Sequence, residues 1–416
     1  MKNPTHLPDV VPAWGGALTT TPGTQRIATR MADDLLAVMT HSRERALASQ
    51  RRYRIGEYEF REPDYEQIQR WAQMLGMGPE AVVEGLETMR KAPLSDPTEW
   101  LDFLSGDEYI DFQVRDGRIV SIVWDFSIFH LTDWTWCDGL KIERMGILNP
   151  SSGRIPSLPC CLCELFCSTC DLVELDLSAV LGLKTLDCWD NQLTDLDLNP
   201  VSRLTVLDCR GNQLTELDLR PVPVLSKLSC GLNKLTHLGL DSVQGITTVD
   251  CRKNQLTALD LTPVPRLREL KCGGNQLTDL DLNPVSGLMT LDCRSNQLTA
   301  LNLAPVPSLR NLYCSSNQLT NLDLTNVQGL RGLVCGGNKL VYLDLTPVPG
   351  LETLNCSENQ LANLDLAPVP GVKMLLCSKN PLTNLNLTPV SGLTYLHCDS
   401  KVRVTGAARN LRVNHS

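Results

Sequence analysis

From about residue 160 to residue 402 the apolar positions of this chain repeat every 21 residues, as in Leu204-Thr-Val-Leu207-Asp-Cys209-Arg-Gly-Asn212-Gln-Leu214-Thr-Glu-Leu217-Asp-Leu219. Each unit holds two short apolar phrases, and cysteine closes the first of them in every unit from Cys188 to Cys398, with Cys167 one step earlier. A fixed short period predicts a solenoid, because one unit cannot bury its apolar face alone and must stack on its neighbours. In the first phrase apolar and polar residues alternate, which predicts a strand with Leu207 and Cys209 inward and Val206, Asp208 and Arg210 outward. The second phrase, such as Leu214, Leu217 and Leu219, is expected to fill the opposite wall before Pro-Val turns the chain back.

Three residues after the cysteines stands a row of asparagines: Asn191, Asn212, Asn233, Asn254, Asn275, Asn296, Asn317, Asn338, Asn359 and Asn380. A buried amide can both donate to and accept from backbone groups that a turning chain leaves unpaired, so this row is expected to be a structural ladder joining coils. About twelve strands ~4.8 Å apart would give a sheet ~55 Å long.

The unit L-x-x-L-x-C-x-x-N-Q-L-x-x-L-x-L-x-P-V-x-x resembles the leucine-rich repeat superfamily, in the short 21-residue bacterial class with cysteine at the strand position. The resemblance covers residues 161–402. It implies an α/β leucine-rich-repeat solenoid: a parallel concave sheet, a convex side of extended segments and short strands, and few helices. A longer period of 84 residues is also present. Asn199-Pro-Val-Ser recurs from Asn283, and Val243-Gln-Gly recurs from Val327, which points to duplication of four-repeat blocks.

The N-terminal third follows other rules. Residues 1–23, rich in Thr, Pro and Gly, are expected to lack fixed structure. Residues 24–94 form a helical region, with a helix from Thr24 to about Gln50 and two shorter ones, Pro63 to Leu75 and Pro79 to Lys91, around Gly76-Met77-Gly78. Trp71 to Met77, with Ala72, Gly76 and Val82, resembles the first helix and turn of bacterial helix-turn-helix domains. The helix that would read DNA carries Glu80, Glu84 and Glu87, however, which would face phosphates. Residues 95–160 supply a helix from Ser95 and a β-hairpin, Ile110–Val114 with Val120–Phe126 around Asp116-Gly117. With Trp134 and Trp136, that hairpin is expected to cap the first coil. Residues 403–416 form a C-terminal tail.

Net charge is −9 among 416 residues, which argues against a general nucleic-acid binder. No apolar stretch has the length of a membrane span, and no Sec signal is apparent near Met1. Seventeen cysteines, most of them at inward repeat positions, fit free buried thiols and a reducing, cytoplasmic setting better than a disulfide scaffold. The spacing of Cys160, Cys163, Cys167 and Cys170 looks like four zinc ligands. The repeat accounts for two of them, since Cys167 holds the column and Cys170 takes the asparagine position, so no metal and no cofactor is expected.

Candidate chemistry is confined to the outward strand positions. Asp187, Asp208, Asp250, Lys271, Asp292 and Tyr313 lie in one column; Trp189, Arg210, Arg252 and Arg294 lie in the next. These ten residues are the expected contact set on the concave face for a protein partner, with Trp, Tyr and Arg as the residue types that dominate hot spots. The alternative reading is a row of exposed, mutually neutralised pairs that contribute little energy. No catalytic grouping is apparent. The function expected is therefore non-enzymatic protein recognition. The alternatives are a secreted bacterial effector that binds a host protein, without a Sec signal, and a helix-turn-helix regulator with a repeat-based sensor.

Overall fold

The structure, a computed structural model, describes residues 51–88, 112–116, 118–125, 140–150, 153–155, 158–406 and 411–415. The expected helices at 24–50 and from Ser95, the expected lack of fixed structure in 1–23, and Trp134 and Trp136 lie outside them.

The first described element is a hairpin that the helical assignment of 24–94 does not anticipate: β1 (Arg52–Ile55) and β2 (Tyr58–Arg61), turning at Gly56 with φ 59°. Helix α1 (Glu62–Leu75) follows at once, with Pro63 in its first turn and Glu62 and Asp64 at its positive end. Gly76 closes it in the left-handed region at φ 67°, and α2 (Pro79–Thr88) folds back against it.

The strands β3 (Gln113–Arg115) and β4 (Arg118–Asp125) form the antiparallel hairpin expected around Asp116, which takes φ 52°. Every residue from Ile119 to Trp124 is buried, so β4 is covered on both faces. Trp71 of α1 meets Trp124 with ring centroids 5.2 Å apart. Buried Asp64 accepts the Ile119 N–H at 2.9 Å and pairs with Arg118 at 2.7 Å. The helical pair thus spends its apolar faces on the hairpin. Glu80 and Glu84 remain on the open side of α2.

The cap is more than a lid. β4 pairs in parallel with β5 (Arg144–Leu148), and β5 with β6 (Glu164–Phe166), which carries the ladder into the repeats. Each repeat adds one three-residue strand in register, from β7 (Thr185–Asp187) through β8 (Val206–Asp208) to β16 (Met374–Leu376). β18 (Tyr395–Cys398) and β20 (Arg412–His415) complete one 16-stranded sheet. At ~4.8 Å per strand that sheet runs about 70 Å. It exceeds the ~55 Å expected from the repeats because the cap and the tail contribute strands of their own.

The second phrase forms the other wall as extended chain. Among the described residues, only β17 (Asn384–Asn386) and β19 (Arg403–Thr405) make a ladder there. At each Pro-Val corner two successive turns reverse the chain, as in the Val222 N–H to Leu219 O and Leu225 N–H to Val222 O bonds, both 3.1 Å. Between the walls the core is a stack of Leu, Val and Cys. Cys167 and every column cysteine from Cys188 to Cys398 have no exposure. Removal from water disfavours a thiolate, and it pushes the thiols of Cys293 and Cys335 up to about 12.

Candidate functional site

All ten ladder asparagines are buried and bonded as their spacing demands. Asn254 is representative. Its Nδ2 donates to Cys230 O of the preceding coil at 3.0 Å and to Cys251 O of its own at 3.1 Å, while its Oδ1 accepts Leu235 N–H at 3.0 Å. Each side chain therefore ties one coil to the one before it.

The same register explains Cys170. Its thiol points to Ile147 O at 3.1 Å and Ser168 O at 3.2 Å, a weaker version of the contacts that Asn191 makes one coil later with Cys167 O and Trp189 O. Cys167 and Cys170 point into the core, Cys163 is half-buried, and Cys160 and Cys161 are exposed with sulfurs 3.8 Å apart. The four-ligand set is split between core and surface. Among the described residues no three His, Cys, Asp or Glu side chains are placed to share a metal ion.

On the concave face the two outward columns fall side by side, but not at one depth. Asp187, Asp208, Asp250 and Asp292 are all buried. This corrects the reading of exposed, mutually neutralised pairs, because the carboxylates lie beneath their neighbours. Each arginine folds back along its own strand and covers the carboxylate two residues before it. Arg210 bonds Asp208 through Nε at 3.1 Å and Nη2 at 2.9 Å, and Arg252–Asp250 and Arg294–Asp292 repeat this fork, each with an Nη2 contact of 2.8 Å. The arginine side chains are 10%, 32% and 45% exposed in chain order. Arg210 is a buried pair; Arg252 and Arg294 present guanidinium to solvent over buried carboxylate.

Glycine makes the alternation possible. Between the arginine coils stand Gly231 and Gly273, and a Cβ on Gly273 would lie 3.0 Å from Arg294 O and 3.1 Å from Asp292 Oδ1. A side chain there would displace the next coil's ion pair.

Asp187 has no arginine on its own strand. Its Oδ1 accepts the Trp189 N–H at 3.3 Å, and Asp208 lies directly opposite on the next strand. Burial, then the neighbouring Asp208 charge, pushes its carboxyl well above the usual range; burial raises Asp208 too, against the pull of Arg210. The remaining expected contact residues stay accessible. Trp189 and Tyr313 are half-buried, Lys271 pairs with Glu269 at 2.8 Å, and Arg294 stacks on Tyr313 with 5.3 Å from guanidinium carbon to ring centroid.

Sequence reasoning missed a hollow on this face that Arg294 lines. It has a volume of about 540 Å³ and runs along the sheet from Arg252 and Lys253, past Gly273, Gly274, Asp292 and Arg294, to Ser315, Val334 and Asn355. The signal was present in the residue before each ladder asparagine, which takes positive φ in coil after coil: Lys253 at 53°, Gly274 at 69°, Ser295 at 53°. Paired glycines at 273–274 mark where that edge of the sheet is bare backbone.

No protein-family model matches this chain, and no curated protein matches it in sequence. Solved structures do. The functional domain of InlJ from Listeria monocytogenes, described as including a cysteine ladder, is 26% identical, with a TM-score of 0.57 over 70% of this chain and 67% of that one. The leucine-rich-repeat protein LIC12759 of Leptospira interrogans is 21% identical, with a TM-score of 0.60 over 66% and 78%. YopM from Yersinia enterocolitica is 25% identical, with a TM-score of 0.53 over 66% and 65%. The 21-residue step, the parallel ladder and the buried cysteine column agree with these likenesses: the chain has a leucine-rich-repeat fold, with cysteine at the strand position, similar to these bacterial proteins.

Proposed function

We propose that this protein is a non-enzymatic recognition scaffold that holds a protein partner on its concave face. The observation that carries this reading is the contrast within each strand. The inward positions are Leu and Cys in coil after coil, whereas the solvent side varies and gathers Trp189, Arg252, Arg294 and Tyr313 on one rigid sheet. Aromatic and arginine anchors on a preordered surface are what a protein interface uses for affinity. The likeness to other solenoids of this class supports an interaction module. A row of free, buried thiols suits a reducing compartment, so the cytoplasm is the setting we propose.

The test is capture from cells of the source organism with the intact protein and with a Trp189→Ala/Arg294→Ala/Tyr313→Ala variant. None of the three belongs to the core stack of Leu, Val and Cys, so the variant should stay folded, checked by its melting temperature. One or more proteins should be retained by the parent and lost by the variant; a binding set that is identical for both would reject the concave face. Arg210 is a poor probe of binding, because its removal strands a buried carboxylate.

A further inference from the structure

The partner's chemistry at this face can be narrowed, and the narrowing rests on the recognition reading above. Three observations combine. The carboxylates of Asp250 and Asp292 lie beneath their arginines, with side chains 6% and 5% exposed, so the outermost layer is cationic although each pair is neutral. Lys253 adds an amine on the same rim, whereas Lys271, on the coil between, is held by Glu269. The hollow passes over Gly273 and Gly274, which project no side chain into it, between Arg252 and Arg294 on strands two apart, ~9.6 Å across the sheet.

We propose that the hollow above Gly273 and Gly274 binds an extended acidic segment of a partner protein, seating two anionic side chains three residues apart, one against Arg252 and one against Arg294. In a polyproline II segment every third residue faces the same way, and the rise is about 9.3 Å per three residues. That matches the arginine interval. Arg210 continues the same stripe but is recessed, which ends the readable stretch at Arg252. Forked hydrogen bonds from guanidinium to carboxylate or phosphate oxygens supply the contact.

The experiment titrates the full chain with labelled twelve-residue proline-rich peptides. One carries two glutamates three residues apart, one carries phosphoserine at those two sites, one carries glutamine there, and one has its glutamates two residues apart. The first two should bind, with the stronger of them naming the anion, and binding should weaken steeply with added salt. The glutamine and close-spaced peptides should bind at least about tenfold more weakly. The site variant Asp250→Asn/Arg252→Gln/Asp292→Asn/Arg294→Gln keeps each pair hydrogen-bonded without charge and should lose the acidic peptides to the same extent. Should it fail to fold, Lys253→Gln/Arg294→Gln, which alters exposed side chains only, should still weaken binding severalfold. Equal binding of acidic and glutamine peptides, or binding unaffected by either variant, overturns the proposal. So does a single-stranded RNA that binds more tightly than both acidic peptides through the same arginines. If peptides fail while the Trp189/Arg294/Tyr313 variant still loses its captured protein, the anion assignment falls and the recognition face stands.

Discussion

Two polar rows mark this solenoid, one along most of its coils and one confined to residues 208–294, and they differ in what they hold together. The asparagine row occurs in ten successive coils, and every side chain bonds the coil before it as well as its own. The aspartate–arginine row occurs in alternate coils, and each fork closes within one strand, from residue i to i+2. The first row stacks the array; the second decorates it. The lesson is that a buried polar group serves the fold of a solenoid when its bonds cross between coils, and serves the surface when they do not. Substitutions in the two rows should therefore differ in size and in the property they change.

The largest effect belongs to the asparagines. Asn254→Ala leaves Leu235 N–H, Cys230 O and Cys251 O without this amide in a dry core. At about 1–3 kcal/mol for each of three buried groups left unpaired, the loss should be on the order of 3–9 kcal/mol in denaturant unfolding. It should appear as a broadened or split transition, because the break falls between coils. A single transition within about 1 kcal/mol of the parent would show that water replaces the amide there.

Next comes the pair row, graded by depth. Arg210→Ala strands the buried Asp208 and should cost about 3–5 kcal/mol near neutral pH. Arg294→Ala exposes its aspartate to water and should cost less than about 1 kcal/mol. Restoring an uncharged bond with Asp208→Asn/Arg210→Gln should recover most of the first loss. Equal costs at the two sites would mean that depth does not separate them.

Most of the fold can be read from the sequence, for a physical reason. The 21-residue step fixes register, register fixes which side chains are inward, and burial of Leu and Cys then follows without further information. The asparagine bonds were legible for the same reason, since a group every 21 residues faces the same backbone in every coil. Depth on the concave face was not legible. Alternation says that Asp208 points away from the core, but its burial comes from an arginine folding back over it, a side-chain conformation with no periodic signature. The β1–β2 hairpin was legible and overlooked: Tyr53, Ile55, Tyr58 and Phe60 alternate with polar residues on either side of Gly56. The strand β5 was hidden because Arg144–Leu148 lies outside the 21-residue step; it stands 20 residues before β6 and 23 after β4.

Between the rows sits Asp187, which belongs to the pair column yet lacks its arginine. Its carboxyl is raised in the folded protein, so the folded state holds its proton over a range in which the unfolded chain has released it. The unfolded state then binds fewer protons, and this group's contribution to stability falls as pH rises from its ordinary value near 3.8 through the raised folded one. Asp187→Asn should raise the melting temperature at pH 7 by a few degrees, with the gain shrinking as pH approaches 4. A gain that does not change with pH would point to packing instead of the proton.

The smallest expected effect tests the edge that both rows share, the residue just before each asparagine. That position takes positive φ in coil after coil, and aspartate, glycine, serine, lysine and glutamate occupy it. Leu232 is the exception in kind: a leucine at φ 56° and 52% exposed, so it carries the left-handed strain without any burial to offset it. Its place beside the hollow formed by Arg210, Asp250 and Arg252 puts an apolar side chain at the rim of the concave face. If it is there for the fold, Leu232→Gly should destabilise. If it is there for contact, the same change should stabilise the free protein by about 1 kcal/mol, since glycine adopts this backbone without strain, and should weaken partner capture. The second outcome is the one expected, and denaturant unfolding read beside capture by the same variant distinguishes them.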